Sequence, residues 1–396
     1  LDSNFIFVAG SPFLDKRVVV SGNEKVIRAR LNDAQFFYQE DKKVGLEKLS
    51  EKLENITFID GIGSYKDKSK RILATTEELL RKFNMDSKDL GVNTETCCNL
   101  LKADLSSQMV YEFPELQGIM GKYYYQDFNK EIAKIIEEHY LPRGRNDMLP
   151  KEFLSQIISI SDKFDTISCC FYLNLKPTGS SDPYGLRRNS IGIIRIAENL
   201  DRNIDLIEIL NYSLAKVEDS GENKINEENR QKLLEFFNER IRNYFVENGF
   251  DVNIVNSLVN NGLRNKDIKS INDRAMVLKK YLVRNELLSV VEIFKRLKNI
   301  TKDNSEISIK KSLLKNNFEI YLYDSLEGIE KSLSIDSINK NPEDSLKRVL
   351  DTAPSLTKFF DNVLVMDKDE KLRQNRLNLL TRMKNIISGF ANFSEI

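Results

Sequence analysis

Histidine is almost absent, for His139 is the single one in 396 residues. Its scarcity excludes multi-histidine metal sites and leaves no His–Cys catalytic pair that does not use His139. Cysteine is equally sparse and oddly placed, as two adjacent pairs, Cys97-Cys98 and Cys169-Cys170. Neighbouring cysteines cannot give the C-x-x-C spacing of zinc or thiol redox sites, and both pairs lie in apolar, helix-like contexts, so buried reduced thiols are expected. Net charge is also missing: sixty basic and sixty acidic side chains cancel, and no global field attracts polyanions. Any nucleic-acid site must therefore be local. No run of about 18 apolar residues offers a membrane span, and the opening residues lack the basic start and small-residue cleavage site of a signal peptide. A cytoplasmic location is expected. The chain begins with Leu1 rather than Met, which is expected of a piece of something longer.

What remains is an ordinary globular composition, 41% hydrophobic and 30% charged, long enough for two to four domains. Phe5–Val8 and Arg17–Val20, bounded by Gly10-Ser11-Pro12 and Ser21-Gly22, read as short strands. From about residue 24 the apolar spacing turns helical, as in Ile72, Leu73, Thr76, Leu79, Leu80 and Phe83, or Leu233, Phe236, Phe237, Ile241 and Phe245. The expected fold is mainly α and multi-domain, with a short β-strand remnant at the N terminus. Punctuation by Pro, Gly and polar runs divides it into a strand remnant at 1–23, a helical domain at 24–200, a helical connector at 201–285 and a C-terminal helical domain at 286–396.

Few segments offer chemistry. On a helix from Asn129 to Tyr140, His139 falls among Ile132, Ile135 and Ile136, which favours a packed histidine near a helix end stopped by Pro142. Asp104 and Glu112 share a helix face, and Asp162 and Asp165 lie three apart, but neither spacing is specific for Mg²⁺. Gly61-Ile62-Gly63-Ser64 follows the strand-like Ile56–Ile59, yet it lacks both the third glycine of a dinucleotide fingerprint and the Gly-Lys-Ser/Thr of a P-loop, and reads as a turn before a helix. Asp182 and Pro183 are placed as N-cap and first residue of a helix. On that helix Arg187, Arg188 and Arg195 form a basic stripe opposite Leu186, Ile193, Ile194 and Ala197. A last helix, about Glu370 to Ile387, places Arg376 in the middle of its apolar face, where it needs a partner such as Asp367 or Asp369. From Lys368 to Lys384 six basic residues face two acidic ones. This is the strongest local basic footprint, with Lys371, Arg373, Arg376, Arg382 and Lys384 as candidate phosphate or base contacts.

The string Lys102-Ala103-Asp104-Leu105, continuing through Met109-Val110 and Glu112-Phe113-Pro114-Glu115-Leu116-Gln117-Gly118-Ile119-Met120-Gly121-Lys122-Tyr123-Tyr124, resembles the β subunit of bacterial heterotetrameric glycyl-tRNA synthetase. So do Gly22–Leu31 with Asp33-Ala34 and Phe36-Phe37, Glu138–Arg143, Asp162–Thr166 and the Pro177 to Arg188 stretch. Phe360-Asp361 through Leu377 resembles the family's DALR-type anticodon-binding domain. The resemblance spans nearly the whole chain, although the family's β subunit is longer at its N terminus. It implies a β subunit of glycine–tRNA ligase that binds tRNA(Gly), carries no amino-acid activation site and binds no cofactor itself. ATP and Mg²⁺ are then used by an α subunit that forms glycyl-adenylate, in an α2β2 assembly. It also implies that the 24–200 domain is related to HD-type metal-dependent phosphohydrolases, whose several His and Asp ligands are poorly matched by one histidine. A phosphohydrolase using Asp104, His139, Asp162 and Asp165, or an assembly scaffold without RNA affinity, are the alternatives.

Overall fold

Helix α1 (Lys16–Val44) starts where Asp15 accepts a hydrogen bond from Arg17 N at 2.9 Å, satisfying one of the free N–H groups of a helix end. In this computed structural model, which describes residues 4–8, 10, 15–85, 90–221, 223–259, 267–283 and 287–396, the strand expected at Arg17–Val20 is therefore helix. The physical reason is that valine favours a strand by packing on a pleated sheet, and here Val18 and Val20 are exposed and no described strand lies beside them. Phe5–Val8 is neither helix nor strand.

The chain divides into two compact units, Leu1–Cys169 with Ser213–Lys224 and Cys170–Tyr212 with Ile225–Ile396. In the first, α1 is followed by α2 (Leu46–Glu51) and a two-stranded antiparallel hairpin, β1 (Thr57–Ile59) and β2 (Gly63–Ser64). Ser64 then caps α3 (Tyr65–Lys82) in a reciprocal capping box with Asp67. Short helices α4 (Thr94–Leu100), α5 (Gln108–Glu112), α6 (Ile119–Tyr125) and α7 (Lys130–Glu138) precede the long α8 (Phe153–Tyr172). Their core gathers Leu49, Ile72, Leu101, Ile136 and Ile158 with Cys97 and Cys98. All four cysteines are free and buried, as expected, and burial pushes the Cys97 thiol up to about 12, which makes it unreactive.

The chain continues through α9 (Leu186–Asn199), α10 (Leu206–Ser220), α11 (Glu227–Glu247), α12 (Val252–Val259), α13 (Ile268–Val283) and α14 (Leu288–Ile300). It ends with α15 (Asn317–Ser332), α16 (Ile335–Lys340), α17 (Pro342–Leu350), α18 (Ala353–Asn362) and α19 (Glu370–Ser388). The fold is mainly α, as the periodicity predicts, and the hairpin is the single sheet among the described residues. Pro342 is the first residue of α17 and Pro354 the second of α18, positions that suit proline because the first helical turn needs no N–H from it. Within the second unit α9 packs on α11 and α13, and α19 packs on α14 and α15. Among the described residues no helix is long and apolar enough to cross a membrane.

One carboxylate organises the entry to α5. Asp41, 2% exposed near the end of α1, accepts from Gln108 N, Met109 N and the Tyr124 hydroxyl, each at 2.9 Å. Two of those donors are the free N–H groups that begin α5. Asp41→Ala leaves all three donors without their acceptor, and the expected loss is about 2–5 kcal/mol of stability. Urea denaturation measures it, and an unchanged midpoint would show that α5 is held by other contacts.

Candidate nucleic-acid interface

α19 starts at Asp369, whose carboxylate accepts from Lys371 N and Leu372 N. Leu379, Leu380, Met383 and Ile387 are buried, so the apolar stripe read from the sequence is the packed face. The basic residues on this helix separate into two kinds. Arg376 is largely buried: Nε lies 2.5 Å from Glu319 on α15, and Nη1 donates to Asp367 at 2.7 Å and to the Leu364 carbonyl at 2.9 Å. Burial works against its charge, and Glu319 and Asp367 more than offset that, so the guanidinium is held above its ordinary pKa. Arg382 makes a two-pronged pair with Glu330, at 2.5 and 2.8 Å. Lys384 is half-buried and reaches the Thr301 carbonyl at the C-terminal end of α14, a favourable place for a cation. Burial, with neighbouring Lys298, lowers its pKa.

The second kind is less engaged. Lys371 is exposed, and Arg373, half-buried, makes a 3.4 Å contact with the highly exposed Glu370, a pairing that is weak in water. Beside Lys371 runs the extended segment 304–310, held by side-chain amides of α19 in place of a sheet. Asn375 accepts from Lys310 N at 2.7 Å and donates to its carbonyl, and Asn378 donates to Ser308 O at 2.7 Å. The result is a polar pocket of about 200 Å³ whose lining includes Ser308, Lys310, Lys371, Gln374 and Asn375. Lys310 is exposed and was not among the residues expected from the sequence. The spacing of Gln374, Asn375 and Asn378 on one side of α19 is the signal that a chain segment is bound there.

The stripe on α9 is less clear of partners. The helix begins at Leu186, not at Pro183. Asp182 still serves as an end cap, but from further upstream, accepting from Leu186 N at 2.8 Å and Arg187 N at 2.9 Å. Gly185 makes the turn between them with φ +65°, a conformation suited to glycine. Arg187 is half-buried and Arg188 exposed, its guanidinium folded back over Gly185. Arg195, also half-buried, exerts its charge on Tyr244, which is hydrogen-bonded to Glu198. The apolar arc from Leu186 to Leu200 is buried as expected.

Asp104, His139, Asp162 and Asp165 do not form a metal site. Asp104 Oδ2 accepts from Gly118 N at 2.6 Å and Gly121 N at 3.0 Å. Asp162 meets the ammonium groups of Lys68 at 2.8 Å and Lys102 at 2.7 Å, and Asp165 meets Lys68 at 3.0 Å and Arg71 at 2.6 Å. His139 turns Nδ1 to the Ile136 carbonyl, 2.6 Å away, at the end of α7. Its imidazole is kept well below its usual pKa, first by burial and then by Lys102. No three His, Cys, Asp or Glu side chains converge among the described residues. The carboxylates that a cation would need are already neutralised by the protein's own Lys and Arg. Lys68 and Arg71, which follow Gly61–Ser64 in sequence, are consumed here, and the loop before them is the turn expected.

A family profile described as Glycyl-tRNA synthetase beta subunit matches residues 1–260, and one described as DALR anticodon binding domain matches 288–391. The chain belongs to the glycyl-tRNA synthetase beta subunit family. It is 37% identical over 99% of its length to the glycine–tRNA ligase beta subunit of Persephonella marina, 34% to that of Clostridioides difficile and 33% to that of Rickettsia prowazekii. It spans 57%, 56% and 56% of those three proteins. In this family member, α14 to α19 coincide with the DALR match, so Lys310, Lys371 and Arg373 all lie within it.

The buried cluster has its own pH signature. Burial brings the Lys163 ammonium down to about 7 against the pull of Asp162. Between that value and the ~10.4 of an unfolded lysine, the unfolded chain binds one more proton than the folded one. Stability therefore rises with pH from about 7 to about 10 and falls as the pH returns toward 7. Lys163→Met is expected to flatten this rise in a denaturation series across that window; an unchanged slope would mean that Lys163 is not the titrating group.

Proposed function

We propose that this chain is the RNA-engaging part of the β subunit of glycine–tRNA ligase and that it binds tRNA(Gly) through the DALR-matching helices. Arg373, Lys371 and Lys310 supply phosphate and base contacts beside the anticodon. The observation that carries the reading is that the exposed Lys310 and Lys371 and the half-buried Arg373 all lie within the match to an anticodon-binding domain. Arg187, Arg188 and Arg195 are a weaker second set. Arg376, Arg382 and Lys384 act in the fold, because their charged ends are already engaged by Glu319, Glu330 and a helix end.

The chain works with an α subunit, in an α2β2 assembly, which forms glycyl-adenylate from glycine and ATP with Mg²⁺; this chain holds neither cofactor. Its place is the cytoplasm, where charged tRNA is used. The phosphohydrolase alternative is disfavoured by the Lys and Arg partners of Asp162 and Asp165.

Binding to tRNA(Gly), to an anticodon-altered tRNA(Gly) and to an unrelated tRNA across a salt titration tests this. Phosphate contacts predict affinity that falls with salt, and each lost lysine contact lowers the slope by about 1. Lys371→Ala with Arg373→Ala is expected to weaken tRNA(Gly) binding while leaving the fold intact. Equal, weak binding to all three RNAs would point to an assembly scaffold.

A further inference from the structure

Two of the segments that carry the family resemblance, around Phe36-Phe37 and around Met109–Glu112, meet at a pocket that the anticodon reading does not use. It lies in the first unit, has a volume of about 480 Å³, and is lined by residues that include Phe37, Lys52, Asn55, Ile56, Gln108 and Tyr111. This size falls within the roughly 300–1,000 Å³ range of small-ligand sites. The bonds from Asp41 to the first two N–H groups of α5 place Gln108 and Tyr111 across from Phe37, one turn before Asp41 on α1.

The chemistry of the walls is mixed in a particular way. Of the aromatic lining residues, Tyr111 is 82% exposed and Phe37 is half-buried, packed edge-on at 6.0 Å against Phe36, which lies outside the pocket. The side-chain amides of Asn55 and Gln108 and the ammonium of Lys52 are exposed, and none is engaged by another described residue. Glu112, on the rim, is countered by Arg30 at 3.5 Å. Aromatic faces, unengaged amides and one cation are what an unstacked nucleobase with its phosphate requires: a π-face to stack on, donors and acceptors for its edge, and a charge for the backbone. An apolar peptide side chain would use the rings and make no use of the two amides and the ammonium.

We infer that this pocket takes a nucleotide of a single-stranded RNA segment, stacked against Tyr111 and Phe37, with Asn55 and Gln108 at the base edge and Lys52 at a phosphate. The assignment rests on the tRNA-binding reading above and adds a second contact remote in sequence from α19. A base held in a duplex is stacked on both faces and cannot enter, so the site selects unpaired RNA.

Binding of the chain to fluorescent single-stranded pentaribonucleotides, to the same sequences as duplexes and to tRNA(Gly) tests it. Single strands are expected to bind and duplexes not to compete. Tyr111→Ala is expected to weaken single-strand binding by about 5- to 100-fold, and Lys52→Ala to lower its salt slope by about 1. Both side chains are exposed, and an unchanged circular dichroism spectrum and melting curve verify folding. Wild-type oligonucleotide affinity in Tyr111→Ala, or no oligonucleotide binding beside intact tRNA(Gly) binding, would overturn the pocket assignment and leave the anticodon reading standing. Loss of α-subunit binding in Tyr111→Ala with RNA affinity unchanged would reassign the pocket to a protein partner. Failure of tRNA(Gly) itself to bind would overturn both.

Discussion

A guanidinium inside the second unit ties three pieces of chain together. Arg376 on α19 meets Glu319 on α15, and its other nitrogen holds Asp367 and the Leu364 carbonyl in the segment that leads into α19. Glu319 is 1% exposed in this pair, and its second oxygen accepts from Lys315 N and Asn316 N, closing the start of α15. One carboxylate thus caps one helix while anchoring another. Removing the arginine alone would leave Glu319 buried without its counter-ion, a loss on the order of 3–5 kcal/mol. Because α19 is locked in this orientation, Lys371 is turned to solvent beside the segment 304–310, and Arg373 is half-buried with Glu370 as its partner.

The first unit solves a similar problem with opposite consequences. Asp162 and Asp165 are buried on α8, where isolated carboxylates would be costly. Lys68, Arg71 and Lys102 surround them, and the attraction of Lys102 and Lys68 overcomes burial to hold Asp162 well below the usual carboxylate range. The cations that sequence places after a glycine-containing turn therefore point inward and neutralise the core. In both units, counting basic residues overstates the charge offered to a polyanion, because several are consumed within the fold.

Much of this was legible in the residues, and the gaps have physical causes. The periodicity of the last helix placed Arg376 on its apolar face, demanded a partner for it and offered Asp367 or Asp369; Asp367 is one of its two carboxylate partners, and Asp369 caps the helix instead. Glu319 was not readable, since it lies 57 residues away and only tertiary packing brings it there. Lys310 was missed for the same reason: an extended stretch without periodicity gives no sign that amides on α19 will hold it. Periodicity placed His139 and the paired cysteines in the core. Local propensity misled at Arg17–Val20, where three valines suggest a strand but Asp15 and the following residues continue a helix. It also shifted the start of α9, because Asp182 caps that helix across a left-handed glycine. What named a substrate class was the resemblance, not the chemistry of any one cluster.

The assignment of Arg376 to the fold can be tested by removing both charges of the Arg376–Glu319 pair while keeping the cap of α15. Breaking only one partner strands a buried charge, so Arg376→Met with Glu319→Gln, whose amide oxygen can still accept from Lys315 N and Asn316 N, separates structure from recognition. The predicted result is a folded protein whose tRNA(Gly) affinity and salt dependence match the wild type. A folded double variant that has lost tRNA(Gly) affinity would contradict the account, because Arg376 would then be contacting RNA and not only the fold.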